Sequence, residues 1–260
     1  MENFNTVAII GATSGLGEGF ARRFHAAGKT VIATGRRVER LQALQKELPG
    51  LGIQRMDTAD LATLPDQVSE LLKAFPKIDT VMAMAGIQNA IDFKDSKSSS
   101  PQAIQNEVDT NVTAPMILAQ ALVPHLLAQK RPTSFILVSS GLAFVPLALY
   151  PVYCPTKAAI HYFAVTLRTQ LKDTSCNVIE LAPPYVRTEL DAAHRDEIVA
   201  RQGGADKAVK PMGLDTYLDQ SMEGFAQKAP KEVAVGSAAI VASAWREAFD
   251  PILHKLGRED

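Results

Sequence analysis

From its start to about residue 181 the chain alternates between two hydrophobic periods, and this alternation restricts its fold more than any other feature. Short runs rich in β-branched residues recur at 6–10, 30–34, 53–56, 80–84, 134–139 and 177–181. Between them lie segments with apolar residues at helical spacing, at 16–27, 38–48, 64–75, 101–128 and 153–171. Parallel strands can be joined only through a crossover. Six runs separated by five helical segments therefore predict stacked βαβ units, a parallel sheet with helices on both faces. The last seventy residues are less regular. Residues 214–227 read as a helix, and Pro230-Lys231-Glu232 has the form of a helix start, so a C-terminal helix is expected near 230–249. The rival is a short strand at 233–235 broken by Gly236. On the helical reading the seventh strand falls near Ile252. Residues 187–212, charged and holding Gly203-Gly204, read as a loop or lid.

Composition narrows the function by exclusion. The chain has 260 residues, 27 Lys+Arg against 28 Asp+Glu and a net charge of -1, which excludes a broadly basic nucleic-acid footprint. No linker-like stretch divides it, so one domain spanning 1–260 is expected. Its 2 cysteines, Cys154 and Cys176, supply neither a disulfide framework nor metal spacing. With no signal-peptide pattern at 1–10, a cytoplasmic location is expected. One anomaly stands out. Residues 132–156 contain no charged side chain and are bounded by Arg131 and Lys157. Four prolines and several hydroxyl residues make that stretch a poor membrane helix, so no membrane span is expected.

The glycines are concentrated near the start, in Gly11-Ala12-Thr13-Ser14-Gly15-Leu16-Gly17 between the first strand and the first helix. Backbone amides at a helix N-terminus favour a pyrophosphate, and glycine lets the chain turn tightly against it. One strand later, where dinucleotide folds commonly place an acid for the ribose hydroxyls, this chain reads Thr34-Gly35-Arg36-Arg37. Two guanidiniums suit a 2'-phosphate, so NADP(H) is expected over NAD(H). Asp57, at the end of the third strand and followed by Thr58, could receive the adenine amino group or equally cap the next turn.

Ser139-Ser140 falls at the carboxyl end of the fifth run, the edge where open α/β sheets bind ligands. Tyr153 and Lys157 follow, four residues apart and hence on one helix face. A free phenol, with pKa about 10, needs a stabilised phenolate to exchange protons near neutrality, and a nearby ammonium supplies that. Ser140 would hold the substrate oxygen.

At this point the chain resembles the short-chain dehydrogenase/reductase family over about residues 6–190. The match rests on Gly11 to Gly17, Asp57, Ala85-Gly86, Asn111 within Thr110-Asn111-Val112, Ser140, Tyr153 with Lys157, and Pro183 to Thr188. The resemblance implies a Rossmann-type doubly wound sheet of seven strands in the order 3-2-1-4-5-6-7 and a tetrad of Asn111, Ser140, Tyr153 and Lys157. It implies that Tyr153 protonates a carbonyl oxygen as hydride reaches its carbon, or runs the reverse on an alcohol. Lys157 would also grip the nicotinamide ribose, with Asn111 anchoring a relay water. Pro183, Val186 and Thr188 would border the cofactor, and a homodimer or homotetramer is implied. There are departures: Ala83-Met84-Ala85-Gly86 lacks the amide that the family commonly carries after the fourth strand, and Pro183-Pro184 replaces its usual Pro-Gly.

Leu142, Phe144, Leu147 and Tyr150 after Ser140, with Tyr185 and Leu190 before the lid, are expected to line the substrate cleft. Nearly all are apolar, pointing to a hydrophobic ketone, aldehyde or alcohol unless Arg187 or His194 turns inward. The leading expectation is an NADPH-dependent oxidoreductase. The alternatives are a dehydratase, isomerase or epimerase on the same scaffold, or a non-catalytic NADP-binding regulator.

Overall fold

A computed structural model describes residues 4–192 and 195–257. Its strands are β1 (Thr6–Ile10), β2 (Thr30–Gly35), β3 (Gly52–Arg55), β4 (Thr80–Ala83), β5 (Thr133–Val138), β6 (Cys176–Ala182) and β7 (Glu232–Ala234). They form one sheet in the order β3-β2-β1-β4-β5-β6-β7, with every neighbouring pair parallel. The helices are α1 (Gly15–Ala26), α2 (Val38–Glu47), α3 (Leu64–Ala74), α4 (Pro101–Val108), α5 (Ala114–Ala128), α6 (Tyr153–Gln170), α7 (Arg195–Arg201), α8 (Leu214–Phe225) and α9 (Ser237–Lys255). This is the doubly wound Rossmann-type order expected from the sequence.

Strand alternation explains the two cores. Along β1, Ala8 and Ile10 point into the layer made with α3, α5 and α6, while Val7 and Ile9 point into the layer made with α1, α2 and α8. Along β5, Phe135 and Leu137 take the first side and Ile136 the second. Strands buried on both faces are apolar along most of their length, which is why β1 and residues 135–138 of β5 carry no polar alternation. The second layer holds an aromatic cluster of Phe4, Phe20, Phe24, Tyr217 and Phe225, with ring centroids 5.8–6.2 Å apart. The charge-free segment 132–156 is β5, a short 3-10 turn (Gly141–Ala143), a connecting loop and the start of α6. One helical stretch, Pro101–Ala128, is long and apolar enough to cross a membrane by length and composition. Its buried face, with Leu118, Leu122 and Leu126, packs into the first core layer.

The C-terminal expectation needs correction. Residues 230–249 are not one helix: Glu232–Ala234 is the seventh strand, and the helix begins only at Ser237 and runs to Lys255. Gly236 between them has φ 58°, a left-handed backbone that ends the strand and turns the chain into α9. Ile252 lies in α9, not in a strand. The segment expected as a loop or lid contains α7 and is closed at its base by a bridge between Val186 and Met212.

Candidate active site

At the β1–β2 end of the sheet edge the site is made by backbone. Gly11 has φ 102°, and a Cβ there would lie 2.7 Å from the Ala85 nitrogen. A Cβ on Gly17 would lie 2.1 Å from the Gly11 carbonyl oxygen. Gly15, φ 55°, opens α1, whose first turn receives no side-chain cap from Ser14. The uncapped amides and the space of the missing Cβ atoms fit a pyrophosphate. Thr13 is buried, and Leu16 packs against the second core layer. Gly86 lies where an added Cβ would meet Asn111 Oδ1 at 3.4 Å and Lys157 Nζ at 3.8 Å. The Ala83 methyl packs in the first core layer, and the Met84 amide donates to the Ile10 carbonyl at 2.9 Å.

Arginines rim this end. Arg37 donates from Nη2 to Thr13 Oγ1 (2.9 Å) and Ser14 Oγ (2.7 Å), while Arg36 is largely exposed with its Nε 3.8 Å from Asp57 Oδ1. Arg40, which the sequence reading missed, donates to the Thr13 carbonyl at 3.2 Å and pairs with Glu189 at 2.9 Å. It sits one turn into α2, where only the folded helix brings it back to the glycine turn. No acid follows β2 directly; Asp57 and Glu189 approach the guanidiniums from the third strand and the lid. Asp57 Oδ1 also accepts from the Ala59 amide at 3.0 Å, the capping role, and Thr58 is buried beside it.

The other end is made by side chains. Tyr153 and Lys157 are buried on one face of α6, and Ser140 is buried just beyond β5 with its Oγ accepting from the Leu142 amide at 3.1 Å. Lys157 Nζ lies 5.5 Å from the Tyr153 ring centroid and donates to the Val138 carbonyl at 2.8 Å. Burial is the largest influence on both groups. It pushes the phenol of Tyr153 well above its ordinary value, partly offset by the neighbouring Ser140 hydroxyl, and lowers Lys157 to about 8. Asn111 occupies a π-helical turn, Asp109–Thr113, between α4 and α5. Pro115 has no N–H for the carbonyl four residues back, which accounts for the widened turn. The Asn111 side chain accepts from the Ile87 amide (2.9 Å) and donates to the Ile87 carbonyl (2.8 Å) and Thr156 Oγ1 (3.2 Å).

Around Tyr153 a small apolar cluster joins Tyr150, Leu149, Cys154 and Ile198, with Leu142 and Ala90 packed on it. Ala90, Leu149 and Ile198 were not anticipated, because they come from three separate loops and helices with no shared spacing. Leu147 and Leu190 are exposed, and Tyr185 is tied by its hydroxyl to Asp191. Phe144 is a correction: it does not join the cluster around Tyr153. Its ring packs 4.6 Å from His161 and faces Trp245, beneath α9. Pro183 accepts from the Gly141 amide at 2.9 Å, Val186 is buried, and Thr188 lies 3.4 Å from where a Gly15 Cβ would be. Arg187 is exposed and His194 lies outside the described residues.

Away from the cleft, His161, Glu180 and Glu232 bring donor atoms within 4.8 Å of one another, a grouping that sequence spacing did not suggest. Arg246 Nε stands 3.6 Å from Glu232 Oε2, and Arg168 acts on both carboxylates. These two guanidiniums already balance the two carboxylates.

Comparison with known proteins agrees with this geometry. Residues 5–198 match the family model described as short chain dehydrogenase. The chain is 35% identical over 257 residues to an uncharacterized oxidoreductase, DltE, of Bacillus subtilis, covering 98% of each. It is 33% identical over 181 residues to the NADP-dependent 3-hydroxy acid dehydrogenase YdfG of Salmonella typhi, covering 69% of this chain and 72% of that one. A solved structure, the closed form of serine dehydrogenase complexed with NADP+, superimposes with a TM-score of 0.75 at 27% identity, covering 88% of this chain and 92% of that one.

Proposed function

This chain belongs to the short-chain dehydrogenase/reductase family, and from that premise we propose that it is an NADP(H)-dependent oxidoreductase interconverting a hydrophobic ketone or aldehyde and its alcohol. The observation that carries the reading is the buried Tyr153 with Lys157 Nζ 5.5 Å from its ring and Ser140 favouring its phenolate, at the edge of a sheet whose first turn fits a pyrophosphate.

Gly11, Gly15, Gly17 and the first turn of α1 would hold the pyrophosphate, Arg36, Arg37 and Arg40 the 2'-phosphate, and Gly86 and Lys157 the nicotinamide ribose. The cofactor, when bound, supplies or accepts hydride. Ser140 orients the substrate oxygen, and Tyr153 delivers the proton to it in reduction or removes the proton in oxidation. Charged Lys157 favours the phenolate that remains. Asn111 holds the Ile87 backbone and so fixes the wall facing Lys157.

The apolar cluster supports a hydrophobic substrate. The YdfG relative is named for a hydroxy acid, but here Arg187 is exposed and Arg195 is committed to Asp191 at 2.6 Å. Lys157, the cation beside the cluster, is committed to the Val138 carbonyl at 2.8 Å.

A panel of carbonyl compounds, followed by NADPH oxidation, is the direct assay. Tyr153→Phe is expected to lower kcat by about 1000-fold while leaving NADPH binding intact; undiminished turnover would overturn the reading. Self-association, implied by the family, is checked by light scattering.

A further inference from the structure

The three arginines proposed to receive the 2'-phosphate already face carboxylates. Glu189, in the lid segment after β6, reaches across to two of them. Arg40 Nη1 donates to its Oε1 at 3.0 Å and its Oε2 at 2.9 Å, and Arg37 Nη1 stands 3.6 Å from Oε2. The same Arg40 nitrogen donates to the Thr13 carbonyl at 3.2 Å, so one guanidinium joins the lid to the glycine turn. On the other side Arg36 faces Asp57. Three guanidiniums against two carboxylates leave one net positive charge at this corner. A phosphate monoester brings a charge of about -1.5 to -2 near neutrality.

The two carboxylates differ in how firmly they are held. Asp57 is part of its own turn, its Oδ1 accepting from the Ala59 amide at 3.0 Å and its side chain 25% exposed. The Glu189 side chain is 56% exposed, and its partners among the described residues are Arg37 and Arg40. Its backbone is secured separately. Asp191 accepts from the Tyr185 hydroxyl and from Arg195, Arg195 Nη2 also donates to the Thr188 carbonyl at 2.8 Å, and Val186 bridges to Met212. The Glu189 side chain can therefore swing away without undoing the segment that carries it. Exposed ion pairs are weak, whereas a phosphate takes two donors from one guanidinium and repels a carboxylate beside it.

We propose that Glu189 is a specificity-determining residue that competes with the 2'-phosphate for Arg37 and Arg40, so that NADPH is preferred over NADH by less than the arginines alone would give. The proposal rests on the NADP(H) reading and deepens it. NADH carries a hydroxyl at this position and leaves the Glu189 pairs in place, whereas NADPH must displace them. Neutralising Glu189 therefore tightens binding of the phosphorylated cofactor alone, the reverse of what losing a purely structural tie would do.

The test is equilibrium binding to the full-length protein at low salt, with no turnover involved: NADPH against NADH by fluorescence, and adenosine 2',5'-bisphosphate against adenosine 5'-monophosphate by calorimetry. In Glu189→Gln, NADPH and the bisphosphate are expected to bind roughly fivefold tighter, with NADH and the monophosphate changed by less than about twofold. The gain should shrink when Arg40→Ala is added, because the two residues then no longer interact. It should also fade as salt is raised, since these charges are exposed. An unchanged ratio of phosphorylated to unphosphorylated affinities in Glu189→Gln overturns the proposal, as does a gain undiminished by Arg40→Ala. A wild-type preference for NADPH that Glu189→Gln leaves unchanged defeats the proposal alone. A wild type that ignores the 2'-phosphate and responds to neither Arg36→Ala nor Arg37→Ala defeats the NADP(H) reading and the proposal with it, so the two failures are distinguishable.

Discussion

The two ends of the sheet's carboxyl edge solve different problems with different material. At β1 and β2 the surface is shaped by absent side chains: Gly11, Gly15 and Gly17 leave backbone amides and empty space, and the arginines sit only on its rim. Near β5, the turn before α5 and the start of α6 the surface is shaped by functional groups: a hydroxyl, a phenol, an ammonium and an amide, all buried, with the hydroxyl, ammonium and amide each held by a named partner. The first end must accept the shape of a ligand common to many reactions. On the proposed reading the second must place a proton donor, and there the group itself is indispensable.

If the comparison is right, one methyl group breaks the first end. Gly17→Ala sets a Cβ against the Gly11 carbonyl oxygen and is expected to lose about 3 kcal/mol of stability or more, together with NADPH binding, as read by thermal unfolding and fluorescence titration. The second end should tolerate loss of volume but not of chemistry. Ser140→Ala is expected to lower kcat by about 100-fold to 1000-fold with NADPH affinity unchanged, and a parallel loss of affinity would show that the two ends are not separable. The rim should affect choice rather than turnover. Arg36→Ala or Arg37→Ala is expected to weaken NADPH about 10-fold and leave NADH nearly unaffected; an unchanged ratio of the two affinities in both variants would remove the arginines from the account. The smallest effect is that of pH. Lys157, lowered by burial to about 8, is charged below that value and neutral above it, so kcat/KM for carbonyl reduction should fall as pH rises through about 8.

The two ends also differed in how legible they were. β1 was read to the residue and the glycine turn in full, because short buried strands and glycine spacing are local signals. Tyr153, Lys157 and Ser140 could be read because spacing along one helix and the end of one strand place them. What escaped depends on distant contacts. β7 is three residues long between Pro230 and Gly236, too short for its alternation to outweigh the helix-start pattern before it. Phe144 was assigned to the cleft by its distance from Ser140, but the 3-10 turn carries it under α9. Arg40 is a single charged residue on an amphipathic helix, and nothing local marks it as facing a glycine turn.

The aromatic packing behind α6 has a practical consequence. The chain has 1 tryptophan, Trp245 on α9, stacked on Phe249 at 5.0 Å and set edge-on to the His161 imidazole at 4.3 Å. Indole emission responds to contact with imidazole and to water. The protein therefore carries a built-in optical reporter of whether α9 stays docked against the helix that bears Tyr153 and Lys157, readable without a label and on the side of α6 away from the cleft.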